Sequence, residues 1–451
     1  MTQCNSNRLS FSNLCRQEVT ADFDGGTLTS DGGMVLLREA DRQLGLTAAI
    51  NEVVPDPRNQ FFITHEQEHM LRQRVFSIAL GYEDLNDHTD LRVDPLLQVS
   101  TGRGIDEEIP LASTSTLHRM ENRISREAAA AINATFVETF INSFKGQPAP
   151  KELILDFDAT DDIIHGHQEG RFFHGYYDHY CFLPLYVFCG QQLLVAYLRP
   201  SNIDAAKHAW AILSLLVKRF RQEWPEVKII FRGDAGFCRW RMLRWCDRHD
   251  VDYIVGLAKN AVLLRNAEPW MAVAEQLYAS SSQNQRIFGE FLYAAGTWDK
   301  IRRVIIKAEY LAKGANPRFV VTNLAGDPQS LYEQLYCARG DMENRIKEQQ
   351  LGMYSDRTSC HDFLANQFRL LLSSAAYVLV EHIRRVALID TQLEKAQVST
   401  IRLKLLKIGA RIRTTVRRIV VHLASGYPLK ELFAQVLSKL MAPLSVTNPS
   451  G

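Results

Sequence analysis

The sequence predicts a mixed α/β protein, and three observations carry that prediction. Apolar, β-rich runs cluster in the middle of the chain, at 152–158, 180–189, 191–198, 227–232 and 251–257. Helical spacing of apolar residues separates the later runs and dominates both the N-terminal third and the C-terminal region. The chain is 451 residues long, with 46% hydrophobic and 23% charged residues, which suits two or three packed domains.

Taken in order, residues up to Asp24-Gly-Gly26 read as a short hairpin or arm turning at that triplet. Helical patterns follow over 34–44, 65–80 and 116–144. The 111–126 segment opens with capping Ser and Thr residues and then sets Arg119, Arg123 and Arg126 at i, i+4 and i+7. That stripe suits DNA on a helix-turn-helix-like element, and a solvated surface helix carries the same spacing. Gly146-Gln-Pro-Ala-Pro150 marks a linker. Beyond it the order is β-β-β-α-β-α-β, with helices at 204–222 and 239–248. The first three strands lie close enough for hairpins, and the later ones are joined by helices long enough for parallel crossovers. This is the order of a ribonuclease-H-like fold.

Strand-like runs at 288–294, 301–310 and 318–323 interrupt the scheme and predict a β-rich insertion. A helix starts after Asp327-Pro328, with Gly340 inside it, where another backbone or a DNA strand would approach closely. The apolar 368–383 segment contains Arg369 and Glu381 and is too short to span a bilayer, so it reads as a buried helix. The expected layout has four parts. Residues 1–148 form a mainly helical N-terminal DNA-binding domain. Residues 149–259 and 328–385 form the ribonuclease-H-like core, 260–327 the β-rich insertion, and 386–451 a basic helical C-terminal region.

Net charge is only +1 and gives no nucleic-acid signal by itself. Its distribution does: residues 381–430 hold eleven Lys or Arg against three acids, leaving the remainder acidic. A basic surface that follows a phosphate backbone or a solvated helix face fits that asymmetry. The eight cysteines are scattered without a C-x-x-C pair, and the first residues lack an apolar signal core. A reduced, cytoplasmic protein without a membrane segment is expected. His165, His167, His174, His179 and His208 match no common zinc spacing.

Chemistry concentrates in three places. The run Tyr336-Cys-Ala-Arg339-Gly-Asp-Met-Glu343-Asn-Arg-Ile-Lys347, read as helix, sets Tyr336, Arg339, Glu343 and Lys347 on one face. Two strand-like segments end in aspartate: Ile154-Leu-Asp156-Phe-Asp158-Ala-Thr160 and Ile229-Ile-Phe-Arg-Gly-Asp234-Ala-Gly236. In the strand order above, an acid on the first strand sits beside one at the end of the fourth. Two aspartates and a helical glutamate flanked by basic residues suit a site that holds divalent metal and handles phosphodiesters. Asp156 and Asp158 lie two apart and point to the same side, so either could be the first ligand. Asp161 and Asp162 read as turn or solvent carboxylates, with Asp161 also a candidate supporting group.

These residues resemble those of DDE transposases of bacterial insertion sequences, fitting best the family numbered thirteen-eighty in the Tyr-Arg-Glu-Lys signature group. Further landmarks are Phe23-Asp-Gly-Gly26, the segment from Arg74 to Asp87, Leu155-Asp-Phe-Asp-Ala-Thr-Asp-Asp162, Leu198-Arg-Pro-Ser-Asn202 and Arg232-Gly-Asp-Ala-Gly-Phe237. The resemblance implies a ribonuclease-H-like core that cuts and joins DNA ends with two magnesium ions, manganese substituting. Asp158, whose Asp158-Ala-Thr160 matches the family's Asp-x-Thr, Asp234 and Glu343 would be the catalytic metal ligands. Tyr336, Arg339 and Lys347 would hold the phosphate. The wider signature places its lysine seven residues after the glutamate, where Gln350 stands; Lys347, one turn after Glu343, is the candidate replacement. Trp298, in the predicted insertion, would stack on a flipped base at a hairpin end, or serve as core. The implied partners are double-stranded DNA, both transposon ends and target, and a second copy in a homodimer on that DNA. A metal-dependent endonuclease without strand transfer and a DNA-binding protein descended from a transposase are the alternatives.

Overall fold

A computed structural model describes residues 8–105 and 109–442; Cys4 and the start of the chain read above for a signal core lie outside the described residues. The centre is a nine-stranded mixed sheet. Its strands are β1 Glu152–Ala159, β2 Leu185–Cys189, β3 Gln192–Tyr197, β4 Lys228–Gly233, β5 Asp252–Leu257, β6 Gln285–Tyr293, β7 Arg302–Leu311, β8 Gly314–Ala315 and β9 Arg318–Thr322. In space they run β6-β7-β9-β5-β4-β1-β2-β3, with β8 paired to β7. β1, β4 and β5 are parallel neighbours, whereas β2 lies antiparallel beside β1 and β3 antiparallel beside β2. Parallel interior strands are covered on both faces and read as nearly unbroken apolar runs. Lys228-Ile-Ile-Phe-Arg-Gly233 is such a run, buried from Ile229 onward.

Side chains alternate between the two faces of a strand. One face of the sheet, with Leu155, Phe157, Ile229, Phe231, Tyr253 and Val255, packs with Val137, Leu213, Phe220, Met242 and Leu243. These come from helices α2 (Arg126–Asn142), α3 (Ala209–Glu223) and α4 (Trp240–Arg248). The opposite face presents Ile154, Ile230, Ile254, Ile305 and Val320 to Tyr332, Leu335 and Tyr336. That second face also carries Asp156 and Asp158, so the helical run after Pro328 lies over it. The run starts where Asp327 accepts a hydrogen bond from the Ser330 N–H at 2.8 Å. N-terminal helices and the long helix α7 (Phe363–His382) share a third core with the C-terminal elements. Phe363–Ala387 is long and apolar enough to cross a membrane by composition, yet its most apolar stretch is 83% buried in the protein.

Several segments differ from the sequence reading. The first hairpin, Leu9–Leu14 with Gln17–Ala21, turns at Cys15-Arg16, where Cys15 takes a positive φ of 57°, and not at Asp24-Gly-Gly26. The 116–144 helix is two helices, α1 (Thr114–Glu121) and α2, because Ser125 starts a new one by accepting from the Ala128 N–H at 3.1 Å. The arginine stripe is therefore broken. The 180–189 run splits before β2 around Pro184, which has no N–H to give a ladder. A 21-residue helix, α5 (Ala261–Ser281), opens the segment expected as a β-rich insertion; Pro269 inside it masked the helical signal. The strands that follow, β6, β7 and β9, extend the central sheet past β5. In the C-terminal region, expected to be helical, the β-branched sequence around Ile412 and Val420 forms a hairpin, β10 (Ala410–Thr415) with β11 (Arg418–Leu423).

Two buried histidines each weaken the fold at low pH. His88 is fully buried, bonded to Arg74 Nη1 at 3.0 Å and Gln73 Nε2 at 3.1 Å. His382 is 1% exposed and bonds Gln43 at 2.7 Å. Burial, reinforced by Arg74 and Arg385 respectively, pushes their pKa values down to about 2 and about 3. Below an ordinary histidine pKa near 6.5 the unfolded chain takes up protons that the fold refuses, so stability is lost as pH falls through that value. Each histidine costs on the order of 2 kcal/mol at pH 5. Buried carboxyls such as Asp158 and Asp162 act in the opposite sense over the same range, so the histidine contribution is isolated by comparison. A His88→Gln, His382→Gln variant should gain melting temperature relative to the wild type on going from pH 7.5 to pH 5.

Candidate active site

The site is built at the C-terminal ends of β1 and β4. Their register sets Arg232 opposite Asp156 and Gly233 opposite Phe157, where β4 ends; continued by one residue, it brings Asp234 level with Asp158. Neighbouring strands lie about 4.8 Å apart, which brings these two carboxylates to one level of the sheet. Asp234 stands where β4 gives way to a tight turn, its Oδ1 accepting from the Gly236 N–H at 2.9 Å. Asp158 Oδ1 accepts from the Ala159 N–H at 2.9 Å.

Glu343 comes from the helical run above. That run is irregular: a π-helical stretch over Leu331–Tyr336 and a tight turn at Cys337–Arg339 precede the regular helix α6, Gly340–Lys347. Such irregular turns let a helix re-aim side chains at a site. Arg339 reaches Asp158 Oδ2 at 3.3 Å with one guanidinium nitrogen and Glu343 Oε1 at 2.8 Å with another. Burial pushes the Asp158 carboxyl up to about 7; Arg339 pulls it down, while Asp234 and Glu343 add to the rise. Burial works against the Arg339 charge, yet Asp158, Tyr336, Glu343 and Asp234 together hold its pKa above the ordinary value. Arg339 thus sits as a cation among Asp158, Asp234 and Glu343. Among the described residues no three His, Cys, Asp or Glu side chains stand close enough to hold a metal ion.

Asp156 is already occupied. Arg232 clamps it with Nε–Oδ1 at 2.5 Å and Nη2–Oδ2 at 2.7 Å, both side chains being buried. Arg232 also donates to the Leu335 carbonyl, fastening the helical run onto the sheet. Of the two candidates on β1, Asp156 is thus clamped by Arg232, and Asp158 is reached by Arg339.

Tyr336 enters the same pocket over Gly256 of β5. A Cβ at Gly256 would lie 2.7 Å from Tyr336 Oη and 2.8 Å from the Ala235 nitrogen. Gly256→Ala must displace the tyrosine or the turn beside Asp234. A loss of about 1–3 kcal/mol is expected, measured by chemical denaturation, together with a changed environment for Tyr336. Lys347 is exposed. Gly340 faces open space: among the described residues beyond its own helix, nothing would lie within 4 Å of a Cβ there.

The remaining sequence candidates lie elsewhere. Arg119 is exposed and bonds Thr116 at 3.2 Å. Arg123 turns inward to Asp56 at 3.3 Å and to Gln67. Trp298 is half-buried in the β6–β7 loop, with the Tyr293 ring at 5.4 Å and the Arg302 guanidinium 5.4 Å from its ring centre. Strand register puts Tyr293 and Arg302 beyond the row that joins Leu292, Arg303, Thr322, Ile254, Arg232 and Asp156. Their loop thus lies toward the end of the sheet away from Asp158 and Asp234, and the structure does not bring Trp298 to this pocket.

The family described as Transposase DDE domain group 1 matches residues 11–444. This chain belongs to that family. A search of curated proteins finds no match. Among solved structures, the chain is similar to the piggyBac transposase in a cryo-EM synaptic complex with hairpin DNA. The identity is 9% and the TM-score 0.39, over 94% of this chain and 87% of that one.

In this DDE transposase, three features of the pocket escaped sequence reasoning. Arg232 was visible in Arg232-Gly-Asp234, but its pairing with Asp156 depends on strand register. Gln350 was noted only as a departure from the signature. Its amide donates to Asp162 Oδ1 and to the Asp161 carbonyl, both at 2.9 Å, tying α6's extension to the loop that follows Asp158. Asp162, expected as a solvent or turn carboxylate, is fully buried, and burial pushes its carboxyl up to about 8, against the pull of Gln350. Asp161 pairs with His179 at 2.7 Å.

Proposed function

We propose that this transposase cleaves the ends of an insertion sequence and joins their 3′ ends to target DNA, using Asp158, Asp234 and Glu343 as the acidic centre. The observation that carries the proposal is the register-set pair Asp158–Asp234, linked to Glu343 through Arg339. The spatial order β3-β2-β1-β4-β5 supports a ribonuclease-H-like core for residues 149–259 and 328–385. Assignment to insertion-sequence family thirteen-eighty rests on the landmarks taken together, from Phe23-Asp-Gly-Gly26 to the run Tyr336 through Lys347.

The donor chemistry fits hard divalent cations, and holding one requires the three carboxylates to draw together as Arg339 leaves from between them. Three carboxylates supply oxygen ligands, and one of them is held near neutrality by burial and by its acidic neighbours, an arrangement that a cation relieves. Arg339 stands in for that charge. Asp158, Asp234 and Glu343 would hold two magnesium ions, with manganese as substitute. Bound there, the metal supplies Lewis-acid stabilisation of the phosphoryl oxygens and activates the attacking oxygen. Arg339 and Tyr336 present donors to a phosphate beside the carboxylates, and Lys347 adds charge from the next turn. Asp156 and Arg232 keep β1 and the helical run aligned. Double-stranded DNA is the proposed partner, the active form a homodimer on that DNA, and the site of action the bacterial cytoplasm.

The test uses a linear duplex carrying the inverted ends that flank the gene, incubated with protein and magnesium, followed by a pre-cut 3′ end with a supercoiled target. End cleavage and joined product are expected. Cleavage without joining would point to a nuclease, and binding without cleavage to a DNA-binding descendant of a transposase.

A further inference from the structure

The β10–β11 hairpin is two-faced. Ala410 and Ile412 are 3% and 6% exposed, and Val421 and Leu423 pack on the same core. With that face fixed against the body, alternation turns Arg411, Arg413 and Thr415 of β10 outward. Their cross-strand partners are His422, Val420 and Arg418. Arg417 and the fully exposed Val416 form the connection at the tip. Arg411, Arg413, Arg417 and Arg418 are all exposed, and residues 395–430 contain no Asp or Glu. Among the described residues none of the four arginines makes an ion pair, whereas neighbouring Lys407 pairs with Asp31 at 2.7 Å.

A merely solvated surface mixes both signs of charge. This one presents a single sign, as guanidinium groups that match phosphate in shape and donor geometry. Arg411 and Arg413 lie about 7 Å apart along one strand. Leu28–Thr29 pairs with Ala410 and Arg411 at the base of the ribbon. Beyond that the ribbon is two-stranded and narrow enough for a major groove about 12 Å wide, a docking mode that two-stranded ribbons use.

We propose that the outward face of this hairpin is a duplex-DNA contact surface, in which Arg411, Arg413 and Arg418 engage the phosphate backbone. The inference rests on the reading of duplex DNA as partner and assigns one contact element for it, distant in sequence from the acidic centre.

The experiment compares the full-length chain with Arg411→Ala/Arg413→Ala/Arg418→Ala, and with the corresponding triple lysine variant. Each binds a fluorescent 30-bp duplex of arbitrary sequence between 50 and 300 mM NaCl. The alanine variant should bind at least about tenfold more weakly at 100 mM, and its slope of log affinity against log salt should be shallower by about 2–3. The lysine variant should keep the wild-type slope. Melting temperatures should agree among the three, since the replaced side chains are exposed. Equal affinity and slope for wild type and alanine variant would overturn the hairpin assignment alone. No duplex binding by the wild type would overturn the DNA reading and the assignment with it.

Discussion

Replacing Asp158 or Asp234 with asparagine is expected to lower DNA strand cleavage by at least about a thousandfold while leaving duplex binding within about twofold. Loss of a group that merely supports a metal ligand costs about 10–100-fold, and loss of the ligand itself should cost more. Asp158 lies on β1 and Asp234 directly follows the neighbouring parallel strand β4, so neither can take over the other's position. Asp158→Asn should also leave a distinctive stability signature. The folded carboxyl titrates near 7, well above an ordinary aspartate, because of burial and the acidic neighbours Asp234 and Glu343. Between the ordinary carboxylate range and about 7 the fold binds more protons than the unfolded chain. Charging Asp158 therefore removes stability as pH rises, and the cost is complete above 7. Asparagine carries no such cost, so at pH 8 the variant should melt no lower than the wild type. Inactive protein with undiminished stability marks a functional carboxylate; an inactive protein that has also unfolded does not. Cleavage assays and melts on the same preparations check both halves.

Arg232→Ala should be the most destabilising single change near the pocket, by about 3–5 kcal/mol. The guanidinium and its partner Asp156 have side chains only 7% and 3% exposed. Truncating the arginine leaves a carboxylate buried without a counter-charge. It also cuts the link to the Leu335 carbonyl that holds the helical run on the sheet. A double variant, Arg232→Met with Asp156→Leu, removes both charges and should recover much of the loss, because packed apolar replacements of a buried pair are often close to neutral. Urea unfolding of the three proteins gives the comparison. A single variant within about 1 kcal/mol of wild type would mean that the pair does not organise the pocket.

The parts of this architecture that local sequence governs were legible. β1, β4 and β5 are interior strands, so their apolar runs end abruptly where Asp158 and Asp234 begin the site. Asp327-Pro328 announced the helix that carries Glu343. What stayed hidden depends on partners far away in the chain. Nothing in the pattern of 285–322 says that its strands pair onto β5, because alternation marks a strand without naming its neighbour. Asp156 and Asp158 share a face, and only register with Arg232 separates the one it clamps from the one that Arg339 reaches. Pro269 disguised a long helix whose cap, Asn260 accepting from the Leu263 N–H at 2.9 Å, was present in the sequence. The basic C-terminal stretch was read by charge alone. Its alternating arginines and β-branched residues define a ribbon with one apolar and one cationic side.

The most direct measurement is an anomalous diffraction map from crystals of the protein bound to a cleavable DNA end in the presence of manganese. Density is expected between the carboxylates of Asp158, Asp234 and Glu343, with the Arg339 guanidinium withdrawn from between them toward phosphate. Manganese held by other residues, or Arg339 still bridging Asp158 and Glu343 at saturating metal, would contradict it.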